Sequence, residues 1–295
     1  MRLLLSILGL FLLSFPSVED VLSEELPSYK VGVILPLSGE AASIGIAVQN
    51  GIELAIREVD PELRRKLEIV YEDDGFQPKN SVTALEKLKG QGITTLVGAG
   101  SATNKAMSSI AENAGITFIS ISSSQDVSKG KKRVFNFWVT PEELTRTLLP
   151  EAKRRGMNRI GVISSVHEGM LSIKSAFDRL NNGQIQVLLD DEFTHDIKDF
   201  KRFISRIRST PGLDGILVNL LPGQSGIFVK QMRELGVELP VFSYEVFADP
   251  AEVLAAQGAL KGQWYVNAAT ADPSFSKRYS DAFPGASNWA AANGY

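Results

Sequence analysis

The sequence predicts an α/β chain built on parallel sheets and divided into two lobes. Short β-branched runs alternate with helix-length stretches from Lys30 to Val266, the rhythm of strand–helix–strand crossovers. The strand-like runs number roughly ten, too many for one Rossmann-type sheet. The rhythm restarts at Thr140-Pro141-Glu142-Glu143, directly after Trp138 and Val139. A capping threonine, a proline at the first helical position and acid in the first turn make a strong helix start, so the division is placed after Val139.

Lys30–Leu35 reads as the first strand, closed by Pro36 and the turn Leu37-Ser38-Gly39-Glu40. Ile44, Val48, Ile52, Ala55, Ile56 and Val59 recur at helical spacing and predict an amphipathic helix. A strand over Leu67–Tyr71 stops at Glu72-Asp73-Asp74-Gly75, and Pro78 opens a helix to about Lys89. Ile93–Val97 and Ile116–Ile121 read as strands joined by a helix from near Thr103 to Asn113, and Val134–Val139 as the last strand of the set. In the second set, strands are expected at 159–164, 184–189, 215–220, 240–242 and 263–266. Helices are expected over 140–155, 170–180, 200–207 and 225–235. Asp190, Asp191 and Glu192 read as an acidic patch closing the strand before them.

The ends carry their own signals. Arg2 followed by the apolar run Leu3–Phe15 has the pattern of a signal peptide core and is short for a membrane span of about 20 residues. Residues 1–23 are therefore expected to be a cleaved signal, with the mature chain starting near Glu24, exported, periplasmic or extracellular, and without a membrane span. The expected organisation is lobe 1 over 24–139, lobe 2 over 140–266, and a return into lobe 1 over 267–295.

Composition narrows the chemistry. A net charge of −3 over 295 residues leaves no basic footprint for nucleic acid. The absence of cysteine excludes disulfides, thiolate catalysis, zinc–thiolate sites and a lipidated N-terminal cysteine. With His167 and His195 the only histidines, no metal centre is expected, and no cofactor. Gly98-Ala99-Gly100-Ser101-Ala102-Thr103 lacks the third glycine of a dinucleotide fingerprint. No Gly-x-Ser-x-Gly occurs for a serine hydrolase.

The candidate site lies where two strands end in small polar residues. The run before Gly98 stops at glycines and Ser101, and the run before Ser122 stops at Ser122, Ser123 and Ser124. Parallel strands put their carboxyl ends on one rim, and ligands bind outside those ends. Hydroxyls and helix-start amides there suit a carboxylate or another small anion, although such turns also commonly serve only as helix caps.

Several segments, in order, resemble the type I periplasmic binding proteins, in particular the leucine/isoleucine/valine-binding branch. They are Gly32-Val33-Ile34-Leu35-Pro36-Leu37-Ser38-Gly39, Asn50-Gly51, Glu72-Asp73-Asp74 with Pro78, and Leu96-Val97-Gly98 with Ser101. Further on come Ala111-Glu112-Asn113-Ala114-Gly115-Ile116, Gln231-Met232-Arg233-Glu234-Leu235-Gly236 and Gly262. The resemblance covers about residues 28–295. It implies two Rossmann-like lobes with parallel sheets, joined by three crossings and closing on a small ligand that an ABC permease receives. It also implies that Ser101 or Ala102, with Ser122, Ser123 and Ser124, holds the ligand's carboxylate, and that Glu245 meets its ammonium. An ammonium in a closed, dry cleft needs such a paired charge. Where the branch walls the ligand with aromatic residues, this chain has Ile44 and Leu221, and Val166-His167-Glu168-Gly169 stands where Tyr-Gly is common. His167 is therefore a further candidate, and the expected ligand is a small amino acid or amide. The match breaks off at residue 295 inside an expected inward-facing helix, as in a C-terminally truncated chain. The same fold also serves ligand-sensing ectodomains, which would need a partner chain.

Overall fold

Each sheet carries its strands in the same order. The computed structural model describes residues 29–268 and 273–295. The expected signal segment, 1–23, lies outside them. β1 (Tyr29–Leu35), β2 (Leu67–Asp73), β3 (Thr95–Ala99), β4 (Thr117–Ile121) and β5 (Val134–Asn136) form one parallel sheet in the order β2-β1-β3-β4-β5. β6 (Arg159–Ser165), β7 (Gln186–Phe193), β8 (Gly215–Asn219), β9 (Val241–Ser243) and β10 (Trp264–Tyr265) form the second, in the order β10-β9-β8-β6-β7. In both, the chain reverses direction of growth between its first and third strands, and a ligand crevice forms outside the carboxyl ends at such a point.

Helices cover both faces, as buried parallel strands require. In β1, Ile34 turns toward Leu85 and Leu88 of α3 (Pro78–Gly90) and Met107 of α4 (Ser101–Asn113), while Val33 and Leu35 turn toward Val48 of α1 (Ala42–Glu58). This two-residue alternation sorts one strand between two cores. Around the second sheet, Leu144 and Leu148 of α5 (Pro141–Arg154) and Phe177 of α6 (Glu168–Asn181) pack with Ile160 and Val162. Ile204 of α7 (Lys201–Arg208) and Phe228 of α8 (Ser225–Glu234) pack with Ile163, Ile216 and Val218. The Thr140 hydroxyl accepts from the Glu143 amide, and the Glu143 carboxylate accepts from the Thr140 amide, which closes the capping box at the start of α5.

The chain after β10 packs against the first sheet's helices. Phe275 and Tyr279 of α10 (Pro273–Ala282) and Ala291 of α11 (Ala291–Gly294) cluster with Ala47 and Leu54 of α1. The contact between α1 and α11 is backbone to backbone. A Cβ on Gly51 would lie 2.0 Å from the Ala291 carbonyl oxygen, and one on Gly294 2.1 Å from that of Val48.

Several elements differ from expectation. β7 runs through the acidic patch to Phe193 because it is the sheet's edge and alternates its faces. Asp190 and Glu192 face outward beside Lys174, and Asp191 turns inward to Arg206. β5 has three residues, half the expected run. Two short helices, α2 (Pro61–Lys66) and α9 (Pro250–Ala255), start at Asp-Pro pairs whose aspartates cap them. Among the described residues, no helix is long and apolar enough to cross a membrane.

Candidate functional site

The serine turn after β4 is held by a buried amide network. Asn104, inside α4, donates to the Gly98 carbonyl at 2.9 Å and to Ser120 Oγ at 2.9 Å. Ser120 Oγ donates to Asn136 Oδ1 at 3.0 Å, and Asn136 Nδ2 donates to the Ser122 carbonyl at 2.7 Å. Ser122 Oγ lies 2.9 Å from Asn136 Oδ1 and 3.2 Å from the Ser124 carbonyl. The Ser124 amide donates to Ser101 Oγ at 3.2 Å. The two strand ends are thus tied together, as the shared rim requires. The Ser122 hydroxyl is also committed within the lobe.

A cleft with about 600 Å³ of empty space, its mouth included, lies between the two sheets. It opens at both reversal points. Pro36 follows β1, Gly100 and Ser101 follow β3, His167 and Gly169 follow β6, and Leu221 and Pro222 follow β8. The N-terminus of α4 meets that of α6 across it. A Cβ on Gly169 would stand 2.9 Å from Ser101 Oγ. The first N–H groups of a helix have no intrahelical partner and carry the positive end of its dipole. Two such ends converging make this part of the cleft anion-friendly.

The cleft also carries an acid. Glu245 begins the turn after β9, lines the cleft and is 4% exposed. Trp138, on the segment leaving the first sheet, donates its indole N–H to Glu245 Oε1 at 3.2 Å. Glu245 Oε2 is buried and has no partner. Burial raises the Glu245 carboxyl above the usual carboxylate range, against the hydrogen bonds from its own backbone and from Trp138. Among the described residues, no lysine or arginine lines the cleft. Its remaining walls are apolar: Ile44, Phe76, Ile121, Met170, Leu221 and Val246.

His167 caps α6, its Nδ1 accepting from the Gly169 amide at 3.4 Å, and its ring stacks on Phe76 of the other lobe at 5.2 Å. Burial, aided by the nearby His195, lowers its pKa to about 4 against the pull of Glu168. At neutral pH it is an uncharged, flat wall.

Of the residues singled out from the sequence, Ser101, Ser122, Ser123, Glu245, Ile44, His167 and Leu221 line the cleft. Ala102 and Ser124 do not. Ser124 Oγ points out of it to Glu168 of the other lobe, at 3.1 Å, where Lys105 also reaches Glu168 at 2.7 Å. Its amide, spent on Ser101, fixes the turn. Phe76, Trp138, Met170 and Trp289, which no sequence pattern singles out, also line the cleft. Trp138 sat in an expected strand and Phe76 in a turn, where an aromatic residue gives no pattern signal.

The family model for periplasmic binding proteins matches residues 28–295. The chain belongs to this family. It is 24% identical over 252 residues to the Leu/Ile/Val-binding protein BraC3 of Rhizobium johnstonii, covering 83% of this chain and 68% of that protein. It is also 24% identical to the Leu/Ile/Val-binding protein of Escherichia coli, over 71% of this chain and 59% of that one. The aligned part thus spans about three-fifths to two-thirds of these relatives' length. The fold matches LivJ of Streptococcus pneumoniae, a branched-chain amino acid transporter substrate binding protein solved with isoleucine. The TM-score is 0.81 at 20% identity, covering 91% of this chain and 81% of that one. It also matches an ABC transporter solute binding protein from R. palustris solved with benzoate. There the TM-score is 0.79 at 21% identity, covering 90% of this chain and 77% of that one.

Proposed function

We propose that this chain is an extracytoplasmic solute-binding protein that captures a small α-amino acid and delivers it to an ABC permease. The observation that carries this reading is the buried, unpartnered Oε2 of Glu245 in a cleft that, among the described residues, no lysine or arginine lines. A carboxylate left unpaired away from water is strongly unfavourable. A ligand ammonium would supply its partner, while the ligand's carboxylate would sit at the facing starts of α4 and α6 with Ser101 and Ser123. The α-amino acid group is a zwitterion whose two charges match the helix starts and the acid that line the cleft.

Relatives of this fold bind different chemistry. One structural neighbour was solved with isoleucine and another with benzoate. Charge separates these options here. A benzoate-like anion lacks a cation for Glu245 and would demand that Glu245 stay protonated.

The test is calorimetric titration of wild type and Glu245→Ala with a panel of amino acids and aromatic carboxylates. Truncating one member of a buried charged pair costs about 2–5 kcal/mol, so amino-acid affinity should fall roughly thirtyfold or more. Carboxylates without an ammonium should not weaken. Full amino-acid affinity in Glu245→Ala would overturn the reading.

A further inference from the structure

A second buried polar atom at the cleft lacks a partner. Trp289, immediately before α11, lines the cleft and is 8% exposed, and its indole Nε1–H makes no hydrogen bond. The contrast with Trp138 is informative. Both indoles border the same cleft, yet Trp138 is satisfied by Glu245 while Trp289 donates to nothing. Buried indole N–H groups ordinarily find a partner, and a buried donor left unpaired is costly.

We propose that Trp289 is a specificity residue whose Nε1–H donates to an acceptor on the ligand's side chain. The bound amino acid then carries a short, uncharged polar side chain such as an amide or hydroxyl. This rests on the amino-acid reading above. With the carboxylate at the α4 and α6 starts and the ammonium at Glu245, the side chain is the part of the ligand left to meet Trp289. The cleft's charges exclude the ionised alternatives. Among the described residues no cation lines it to pair an acidic side chain, and Glu245 is the one acid that does, so a basic side chain would compete with the ligand's own ammonium. Sites built to hydrogen-bond a substrate group reject analogues that lack it far better than apolar walls sort by size.

Trp289 also borders a separate hinge-side cavity with Trp138, Tyr265 and Asn293. An indole N–H served from there by water would impose no preference on the ligand.

The experiment compares near-isosteric pairs, asparagine with leucine and threonine with valine, by calorimetry on the full chain. Wild type should bind the polar member of each pair about tenfold tighter, the effect of one satisfied against one orphaned donor. Trp289→Phe keeps an aromatic wall and removes the N–H, so the preference should vanish, chiefly through weaker binding of asparagine and threonine. The indole ¹⁵N–¹H resonance of Trp289 in wild type should shift on titration with asparagine and stay with leucine, a readout that needs no variant. Wild type preferring leucine and valine would overturn the proposal, as would a polar preference that survives Trp289→Phe. In either case amino-acid binding at Glu245 would stand. If none of the four binds while an aromatic carboxylate does, the amino-acid reading falls and this proposal with it.

Discussion

Burial moves the pKa values of His167 and Glu245 in opposite directions, because in each it disfavours the charged form. For His167 the folded pKa, about 4, lies below the ordinary value of 6.5, so the folded protein prefers the uncharged ring. The stability this provides is full above about pH 6.5 and is lost as pH falls toward 4. The gap corresponds to about 3 kcal/mol. Urea midpoints of wild type measured from pH 7.5 to 4.5 should therefore drop more steeply than those of His167→Phe, which keeps the stack on Phe76. Parallel curves would contradict this account. Glu245 has the reverse sign. Its raised carboxyl favours the protonated folded state, and an arriving ammonium restores the charged form. Amino-acid affinity should thus rise with pH through the Glu245 titration in wild type and stay flat in Glu245→Gln. At this scale the sequence showed which residue types stand at strand ends. It did not show which way they point. Ser124 and Ser123 are adjacent and read alike, yet the bend of the turn sends one hydroxyl to Glu168 and leaves the other residue at the cleft.

Elements with a period of 2 or 3.6 were legible because burial on one or both faces imposes it. Those set by tertiary contact were not. The second sheet's edge strand looked like a strand plus an acidic loop, since an edge tolerates charge on its solvated face. The approach of α1 to α11 left only two glycines as its trace, Gly51 and Gly294, each explained by backbone more than 200 residues away. Gly51→Ala would place a methyl group 2.0 Å from a carbonyl oxygen, and backbone cannot yield as a side chain can. Overpacking of this kind costs about 1–3 kcal/mol, despite alanine's better helix propensity. The melting temperature of Gly51→Ala should fall by several degrees. An unchanged value would mean that α11 is free to lift from α1.

For the whole molecule, the issue is what holds the lobes together over the cleft. Lys105 and Ser124 reach Glu168 on one side, Glu40 pairs with Lys198 at 2.7 Å on the other, and Ser43 donates to buried Asp249 at 2.6 Å. The two ion pairs are substantially exposed and contribute about 0–1 kcal/mol each. They bias closure without forcing it, which leaves ligand contacts to decide it, as in hinge-type closure.

Gly169 leaves no room for a side chain against Ser101 of the other lobe, and this close approach gives the sharpest test of closure. Gly169 opens α6, where alanine fits a helix well, so the ligand-free fold should keep its stability in Gly169→Ala. In the closed form the new methyl group would press on Ser101 Oγ at 2.9 Å, and that hydroxyl is tethered to the Ser124 amide. The variant should therefore bind every ligand about tenfold or more weakly, with solution scattering showing a more open molecule at saturation. Ser101→Ala removes the obstructing oxygen and leaves a Cβ at an ordinary 3.4 Å. The double variant should bind better than the sum of the two single losses allows, a coupling that only touching residues show. Additive losses would place the effect of Gly169→Ala within α6 alone and remove this contact as the gate of closure.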